Sequence, residues 1–313
     1  MRVLFHFNAE GALAARLAAL RDQRIEVVVV PEADVAGFDA ALPSVDVLWH
    51  VLRPVTAADF ARAPILKLVQ KFGVGVNTID VGAAKRRDVA VCNLPGTNSR
   101  AVAEMTLLLM LGCVRQLPAL ARIAQRDRDW SLSGPLQARL GELGGRTVGF
   151  VGAGAVPSTL APWLHAMGAT LVVAARRDTP GPWTRVDLDA LLEQSDVVSL
   201  HLPATPETNA ILSAARIARM KPGAVLVNTA RGSLVDEDAL ARALGDGRLA
   251  AAGLDVTAVE PLPADHPLRR LPNVLLTPHA AWLTPETFAR SLDIAVDNVL
   301  RLSRGEELRN RVA

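Results

Sequence analysis

Three chargeable side chains in the C-terminal half of the chain have the types needed for acid–base chemistry on a small acid. They are Arg231 in VNTARGSLVDEDAL, Glu260 in AAGLDVTAVEP and His279 in LLTPHAAW. Each follows a predicted strand, and ligands of parallel α/β sheets bind beyond the carboxyl ends of strands. Any one of them alone could be an ordinary loop residue. Together they predict hydride-transfer chemistry on a keto acid, because arginine can bind a carboxylate and polarise a carbonyl while a carboxylate-held histidine exchanges the hydroxyl proton.

A glycine-containing turn precedes this set, in TVGFVGAGAVPSTLA. Gly152 and Gly154 stand between a predicted strand and a predicted helix, where they would let a pyrophosphate approach the backbone and the helix N-terminus. Pro157 occupies the position expected for a third glycine, and proline is tolerated in a first helical turn. Because Gly-x-Gly also occurs in ordinary turns, the flanking strand and helix carry the prediction of a dinucleotide-binding turn.

The end of the next predicted strand, TLVVAARRD, bears on the choice of dinucleotide. NAD-specific sites usually have an acidic residue about 20 residues after the glycines. Arg176 and Arg177 stand there instead, and arginine can bind a ribose 2′-phosphate with a two-pronged contact. We therefore predict NADP(H). Asp178 leaves NAD(H) as the alternative, and the two arginines could also be solvated loop residues.

Two series of short apolar runs should form the sheets that position these residues. Runs such as IEVVVV are apolar on both faces, as in parallel strands covered by helices on each side. The sequence predicts an α/β fold with two Rossmann-like, doubly wound parallel-sheet domains and a cleft between them. The predicted strands are 3–7, 25–30, 46–51, 66–70 and 90–93 in the first series, and 147–152, 170–175, 197–200, 224–228, 252–256 and 274–276 in the second.

The segment between the two series, NSRAVAEMTLLLMLGCVRQL, predicts a helix capped by Asn98 or Ser99 and ending near Pro118. It is apolar almost all round, so it should be buried in a core or across a subunit boundary. A last helix is predicted over 285–303. We predict a substrate-binding, flavodoxin-like domain over residues 1–97 and 285–313, and a dinucleotide-binding Rossmann domain over 98–284.

Composition narrows the classes of protein. The 313 residues are 50% hydrophobic, which suits two ordinary domains and excludes global disorder. The net charge is +2, and the basic and acidic residues are scattered along the sequence, so no basic surface that binds nucleic acid is expected. Cys92 and Cys113 lack metal-ligand spacing and predict buried free thiols and no metal site. Without a leader pattern, and with an apolar stretch too short to cross a bilayer, the protein is expected to be cytoplasmic and without a membrane partner.

Long motifs in a shared order make the chain resemble the D-isomer-specific 2-hydroxyacid dehydrogenase family, in particular its glyoxylate/hydroxypyruvate reductases. Besides the glycine turn, they are KFGVGVNTID, VCNLPGTNSRAVAEMTLLLML, SDVVSLHLPATPETNAIL, MKPGAVLVNTARGSLVDEDAL and LTPHAAWLTPE. The resemblance implies NAD(P)-dependent hydride transfer between the nicotinamide and a small 2-keto or 2-hydroxy acid. It also implies a homodimer built on the long apolar helix.

The same resemblance implies individual roles. Arg231 would bind the substrate, Glu260 would be the partner carboxylate and His279 the acid/base, while the backbone of Val74 and Gly75 would grip the substrate carboxylate. The predicted cofactor contacts are Thr106, Gly152, Gly154, Ala155, Val156, Arg176, Arg177, His201, Pro203, Thr208, Thr229, Ala230 and Asp255, the last of which would meet the nicotinamide carboxamide. His201 could equally be a packing residue.

Departures from the family pattern leave alternatives open. Ala281 and Trp282 follow the histidine where the family usually has glycine and a small residue, and Trp282 could narrow the substrate pocket or turn into the core. Asn77 replaces a frequent aspartate without obvious chemical cost. The chain does not show the regulatory extension of many phosphoglycerate dehydrogenases, which argues against that activity. The alternatives are a dehydrogenase of another small anion such as phosphite, a cofactor-sensing corepressor-like protein, and a structural dimer with a disabled site.

Overall fold

The computed structural model describes residues 1–126 and 130–313, which form two compact units. Met1–Asn98 and Leu283–Ala313 make up the first unit, and Ser99–Trp282 the second. Each unit is built on one parallel sheet with helices, so the predicted α/β class is confirmed. The assignment of substrate binding to one unit and cofactor binding to the other remains a prediction.

The elements follow one another as alternating strands and helices. The strands are β1 (Arg2–His6), β2 (Glu26–Val30), β3 (Val47–His50), β4 (Leu68–Lys71), β5 (Ala90–Cys92), β6 (Thr147–Val151), β7 (Thr170–Ala174), β8 (Thr184–Arg185), β9 (Val197–Leu200), β10 (Ala224–Asn228), β11 (Leu249–Leu254) and β12 (Val274–Leu276). The helices are α1 (Gly11–Ala19), α2 (Val35–Ala41), α3 (Ala57–Arg62), α4 (Val81–Arg86), α5 (Ser99–Val114), α6 (Leu117–Arg126), α7 (Gly134–Gln137), α8 (Ala155–Ala166), α9 (Leu188–Gln194), α10 (Ala214–Arg219), α11 (Glu237–Gly245) and α12 (Pro285–Arg304).

The first unit has five parallel strands in the order β2-β1-β3-β4-β5. Its parallel register aligns Leu4 with Leu48 and Leu48 with Val69, a buried row on one face of the sheet. On β1 the next residue is Phe5, and its ring centroid lies 6.4 Å from that of Phe288 on α12. Successive strand residues thus bury opposite faces, as in a sheet covered by helices on both sides.

The last residues of the chain pair with the outer strand of this sheet. The N–H of Val91, on β5, donates to the carbonyl of Ala313 (3.0 Å), and the N–H of Val312 donates to the carbonyl of Val91 (2.8 Å). The first unit is therefore assembled from the two ends of the sequence.

The second unit has seven parallel strands in the order β12-β11-β10-β9-β6-β7-β8. On β10, an interior strand, Val225 and Val227 enter one hydrophobic cluster, whereas Ala224 and Leu226 enter the other. The sheet is therefore buried on both faces, which confirms the reading of the doubly apolar runs as covered parallel strands.

Some element boundaries differ from prediction. The apolar helix does not run to Pro118, because α5 ends at Val114 and a second helix, α6, begins at Leu117. Proline is acceptable in the first turn of a helix, where its missing N–H has no partner, so Pro118 lies in the start of α6 rather than marking the end of α5. The two-residue strand β8 was not predicted, since Thr184 and Arg185 carry no apolar pattern.

Helix α5 packs very closely on the sheet of the second unit. A Cβ on Gly253 of β11 would lie only 2.9 Å from the Cβ of Leu109 and 3.2 Å from the Sγ of Cys113, so glycine is required there for the helix to approach. Cys92 and Cys113 are buried free thiols, as predicted, and burial raises the pKa of Cys113 to about 12. Within the described ranges no single helix has the length and apolar character of a membrane span, although the bent pair Ser99–Val114 and Leu117–Gln125 passes by length and composition.

Acidification is expected to destabilise the protein through His50, which is 2% exposed. Burial, with the charge of Lys71, lowers the pKa of His50 from 6.5 to about 3. The unfolded chain takes up this proton near pH 6.5, so the contribution of His50 to stability is complete above that pH and is lost as the pH falls towards 3. At about pH 5 the loss should reach about 2 kcal/mol.

Denaturant unfolding near neutral pH and near pH 5 would measure this effect. His50→Gln cannot titrate, so its free energy of unfolding should fall less between the two pH values than that of the parent protein. An equal fall in both proteins would show that His50 is not responsible.

Candidate active site

The turn after β12 carries His279, whose backbone has a φ of +53°. Its N–H donates to the carbonyl oxygens of Asp255 (2.8 Å) and Thr277 (3.0 Å). The buried Asp255 carboxylate accepts from the Thr277 hydroxyl at 2.6 Å. It also accepts from the N–H groups of Ala280 (2.9 Å) and Ala281 (3.0 Å). Asp255 therefore fixes the turn on both sides of the histidine.

The His279 imidazole is paired with Glu260. Its Nδ1 lies 2.7 Å from Oε2 of the carboxylate, whose other oxygen accepts from the N–H of Thr257 (3.1 Å). Burial acts to raise the pKa of Glu260, but the hydrogen bond and charge of His279, followed by Thr257 and Arg231, lower it below its ordinary value. Since an ionised carboxylate only accepts, Nδ1 carries the hydrogen and Nε2 is the nitrogen left for proton exchange.

Arg231 lies three residues beyond the end of β10, in a turn held by Asn228, the last residue of that strand. The Asn228 amide donates to the Arg231 carbonyl (2.8 Å) and accepts from the N–H of Ala230 (3.0 Å). Burial lowers the pKa of Arg231, and the charge of Glu260 opposes that shift. The charges of Arg231 and Glu260 thus act on each other's pKa, and Glu260 is in turn paired with His279.

The turns that carry Arg231 and Glu260 meet backbone to backbone at Gly232. A Cβ on Gly232 would lie 1.9 Å from the carbonyl carbon of Thr257 and 2.2 Å from the nitrogen of Ala258. Glu237, at the start of α11, accepts from the N–H of Ala258 (2.7 Å) and secures the same contact from the other side. The relative position of the two charged groups thus depends on a residue without a side chain.

Gly232→Ala is expected to destabilise the second unit by about 3 kcal/mol or more, because the methyl group would collide with main-chain atoms that no rotamer change can move. Gly134→Ala is the matched control: a Cβ there meets nothing within 4 Å, so the free energy of unfolding should stay within about 1 kcal/mol. Denaturant unfolding of both variants measures the difference. Equal stabilities would refute the proposed close contact.

The glycine turn has the shape needed to hold a dinucleotide. Gly152 has a φ of +108°, and a Cβ on it would lie 2.5 Å from the carbonyl oxygen of His201. A Cβ on Gly154, by contrast, meets nothing within 4 Å, and this residue caps the N-terminus of α8. The first-turn N–H groups of Ala155 and Val156 have no acceptor within the helix. An open approach to a helix N-terminus fits a pyrophosphate group.

Other predicted cofactor contacts surround this turn or lie near Arg231. Burial lowers the pKa of His201 to about 3, and its Nε2 is paired with the Ser199 hydroxyl (2.9 Å), so this imidazole is neutral. The Thr208 hydroxyl donates to the Pro203 carbonyl (2.7 Å), which closes the same loop.

The hydroxyl groups of Thr106 and Thr229 are 2.8 Å apart. Thr106 has no exposed surface, and this contact ties α5 to the turn that also contains Ala230 and Arg231. A direct contact between Thr106 and a cofactor stays a prediction.

The two predicted ribose-end arginines occupy different places. Arg177 and Asp178 line a pocket of about 170 Å³ beside the glycine turn. Arg176 is exposed and is not among the described residues that line it. Its charge instead contributes, after the hydrogen bond from Thr205, to lowering the pKa of Glu207.

The remaining predicted residues are placed as follows. Val74, in the first unit after β4, is exposed, and its carbonyl accepts from the Asn93 amide (2.8 Å). Gly75 follows it and is half-buried. Trp282 is only 9% exposed, which agrees with the second of the two alternatives, that it turns into the core. Over the described part of the chain, no group of three or more histidine, cysteine or acidic side chains is arranged to hold a metal ion.

Sequence reasoning missed the side chains that brace the site. Asn228 and Glu237 were not singled out, and Asp255 was given a cofactor role rather than its hydrogen bonds to the His279 turn. Asparagine and aspartate after a strand commonly bond nearby backbone groups, so Asn228 and Asp255 carried a usable signal. Glu237 reads only as an acidic residue in a first helical turn, and its partner Ala258 is 21 residues away.

A parallel sheet, a glycine turn opening a helix and an acid–base pair at the carboxyl ends of the strands define a Rossmann-type dinucleotide-binding protein. The sequence model of the D-isomer specific 2-hydroxyacid dehydrogenase NAD binding domain matches residues 107–281. The chain belongs to the D-isomer-specific 2-hydroxyacid dehydrogenase family.

Individual relatives agree with this assignment. The D-3-phosphoglycerate dehydrogenase of Mycobacterium tuberculosis is 39% identical over 309 residues, which cover 95% of this chain and 56% of that protein, so the chain spans little more than half of its length. The hydroxypyruvate reductase of Thermotoga maritima is 39% identical over 257 residues, covering 80% of this chain and 82% of that one. The TT0316 protein of Thermus thermophilus has a similar structure, with a TM-score of 0.90, 38% identity and complete coverage of both chains.

Proposed function

We propose that this protein is an NAD(P)-dependent oxidoreductase that interconverts a small 2-keto acid and its 2-hydroxy acid, of the glyoxylate or hydroxypyruvate type. The observation that carries the proposal is the 2.7 Å contact between His279 Nδ1 and Glu260, whose pKa is also lowered by the charge of the half-buried Arg231. The similarity to a hydroxypyruvate reductase supports this size of substrate. NADP(H) is the proposed cofactor because arginines replace the usual acidic residue after β7.

The residues of this chain divide the work of the reaction. When bound, the nicotinamide supplies or accepts the hydride, and the turn of Gly152 and Gly154 would hold its dinucleotide. In reduction, His279 Nε2 donates a proton to the carbonyl oxygen of the substrate, and in oxidation it takes that proton back. Glu260 stays ionised, keeps the hydrogen on Nδ1 and stabilises the imidazolium. Arg231 binds the carboxylate and stabilises negative charge on the reacting oxygen.

A panel of small 2-keto acids, assayed with NADPH and NADH in parallel, tests the proposal. We expect rapid cofactor oxidation with glyoxylate or hydroxypyruvate, faster with NADPH. Tight cofactor binding without turnover of any acid would overturn the enzyme assignment and favour a cofactor-sensing binding protein. Turnover of phosphite with the oxidised cofactor, and of none of the acids, would overturn the substrate class.

We further propose a cytoplasmic homodimer formed through α5, on which Leu108 is 56% exposed. Leu107 and Leu111 beside it on the same helix are half-buried, and contiguous exposed apolar surface is typical of an interaction site. Leu108→Glu is expected to convert the dimer to a monomer in a light-scattering mass measurement, with the secondary structure retained. A mass unchanged by this substitution would place the interface elsewhere.

A further inference from the structure

The pocket beside the glycine turn has a preformed wall. It lies beyond the carboxyl end of β7 and has a volume of about 170 Å³. Its lining residues include Arg177, Asp178, Gly181, Trp183 and Arg185. All of them belong to the second unit, and the nearby glycine turn would hold the pyrophosphate, so this pocket is where the adenosine end of the dinucleotide would lie.

Trp183 fixes the loop that forms this wall. Its Nε1 donates to the carbonyl of Thr179 (3.1 Å), and its ring meets Phe150 of β6 edge-on, with centroids 6.1 Å apart. A Cβ on Gly181 would lie 2.3 Å from the indole ring, so the loop backbone lies directly against the tryptophan. The short loop is therefore packed around its own aromatic residue and reaches the sheet through Phe150.

Arg185 is carried into the pocket by the two-residue strand β8. The register pairs Arg185 with Val173 of β7. Its Nη2 donates to the carbonyls of Ala175 (2.8 Å) and Arg176 (3.2 Å), the peptide groups that follow β7. Among the described residues, its Nε and Nη1 take part in no other hydrogen bond or ion pair. The Nη2 group of Arg185 thus holds the backbone that follows β7, while its Nε and Nη1 groups are available to a ligand.

The charge in the pocket favours an anion. Arg177 also makes no hydrogen bond or ion pair within the described residues, and Asp178 is the single carboxylate of the lining. Two guanidinium groups against one carboxylate leave a net positive charge. Guanidinium groups bind phosphate oxygens through paired, charge-assisted hydrogen bonds.

We propose that Arg185, together with Arg177, selects NADP(H) by binding the 2′-phosphate of the adenosine ribose, and that Arg176 takes no part. The inference rests on the proposed function only in assuming that a nicotinamide dinucleotide binds this turn. Arg185 stands nine positions after Arg176, well beyond the place where the cofactor-selecting residue is expected from the sequence.

Isothermal titration with two fragments tests this assignment without any turnover. Adenosine 2′,5′-bisphosphate carries the 2′-phosphate, and adenosine 5′-monophosphate is the matched ligand without it. The parent protein should bind the bisphosphate at least about tenfold more tightly. Arg185→Met and Arg177→Met should each weaken bisphosphate binding by about tenfold and change monophosphate binding by less than about twofold. Arg176→Met is the matched control and should leave both affinities within about twofold.

The ratio of the two affinities separates phosphate binding from a merely structural role. If Arg185 only braces the carbonyls after β7, Arg185→Met would weaken both ligands equally, and the proposal would be wrong. Loss of the bisphosphate preference in Arg176→Met alone would also overturn it. Suppose that the protein reduces keto acids equally well with either cofactor, and that its arginine variants bind both fragments like the parent. The proposed reaction would then stand, but the proposed role of Arg185 and Arg177 would be wrong. If both fragments bind as predicted but the protein turns over no acid, the proposed role of Arg185 and Arg177 would stand and the proposed reaction would be wrong.

Discussion

His279→Asn is expected to lower kcat for keto-acid reduction by about 10²- to 10⁴-fold, the usual contribution of a positioned general acid. Asparagine is the sharpest replacement because His279 has a φ of +53°, a conformation that asparagine tolerates better than most residues. Its short amide cannot deliver a proton at the position of Nε2. Steady-state assays with the best substrate of the panel measure the loss.

The dissociation constant of the reduced cofactor should change by less than about twofold in His279→Asn, since the imidazole acts on the substrate oxygen. Fluorescence titration of the cofactor provides this control, and the melting temperature shows whether the turn held by Asp255 is intact. A kcat within about tenfold of the parent value, in a variant that binds the cofactor normally, would remove His279 from the mechanism.

Arg231→Met should reduce kcat/KM by about 10³-fold, because it removes both a charged contact to the substrate carboxylate and a stabilising donor at the reacting oxygen. In this variant Asn228 still donates to the main-chain carbonyl of Arg231, but the 2.6 Å hydrogen bond from the guanidinium to the Ala230 carbonyl is lost. The melting temperature of Arg231→Met is therefore measured alongside the kinetics. KM should rise and kcat should fall together, in contrast to the His279 variant, which should affect mainly kcat.

Arg231→Lys is the matched control for charge. It keeps the positive charge but lacks the planar fork of donors, so its kcat/KM should lie between those of the parent protein and Arg231→Met. If Arg231→Met retains more than about a tenth of the parent kcat/KM, the arginine does not contact the substrate. If the lysine variant is no better than the methionine variant, geometry matters more than charge at this position.

The fold was largely predictable because parallel strands that helices cover on both faces have nearly continuous apolar runs in their sequence. The apolar run of β10 is buried on both faces, as expected for a strand in a sheet with helices on each side. The same interpretation was wrong for IEVVVV, because β2 is an edge strand on which Glu26 and Val29 are exposed. The short strand β8 could not be predicted, since it is held by backbone pairing to β7 and has no apolar pattern. Pro118 was read as a helix end, but the same residue is equally suited to a first helical turn.

The charged residues of the candidate site could each be predicted from the sequence, whereas the contacts that hold their turns in place could not. Arg231, Glu260 and His279 each follow a strand of the parallel sheet, and topology brings such positions to one edge. The pairing of Glu260 with His279 agrees with prediction. The backbone contact at Gly232 and the bracing by Glu237 depend on residues 21 or more positions apart, and no local pattern records them. The role of Arg185 could not be predicted for the same reason, because the pairing of β8 with β7 brings this residue close to the end of β7.

The pairing of Val312 and Ala313 with Val91 has a consequence for biosynthesis. A ribosome delivers the contiguous stretch Ser99–Trp282 whole, whereas Met1–Asn98 lacks α12 and its closing tail until translation has reached Ala313. The second unit can thus fold while the first unit is still incomplete. Until α12 is made, Phe288 does not yet cover the apolar side of β1 around Phe5. During that interval the apolar side chains of β1 are open to non-native contacts, since exposed apolar surface on incompletely folded chains favours aggregation.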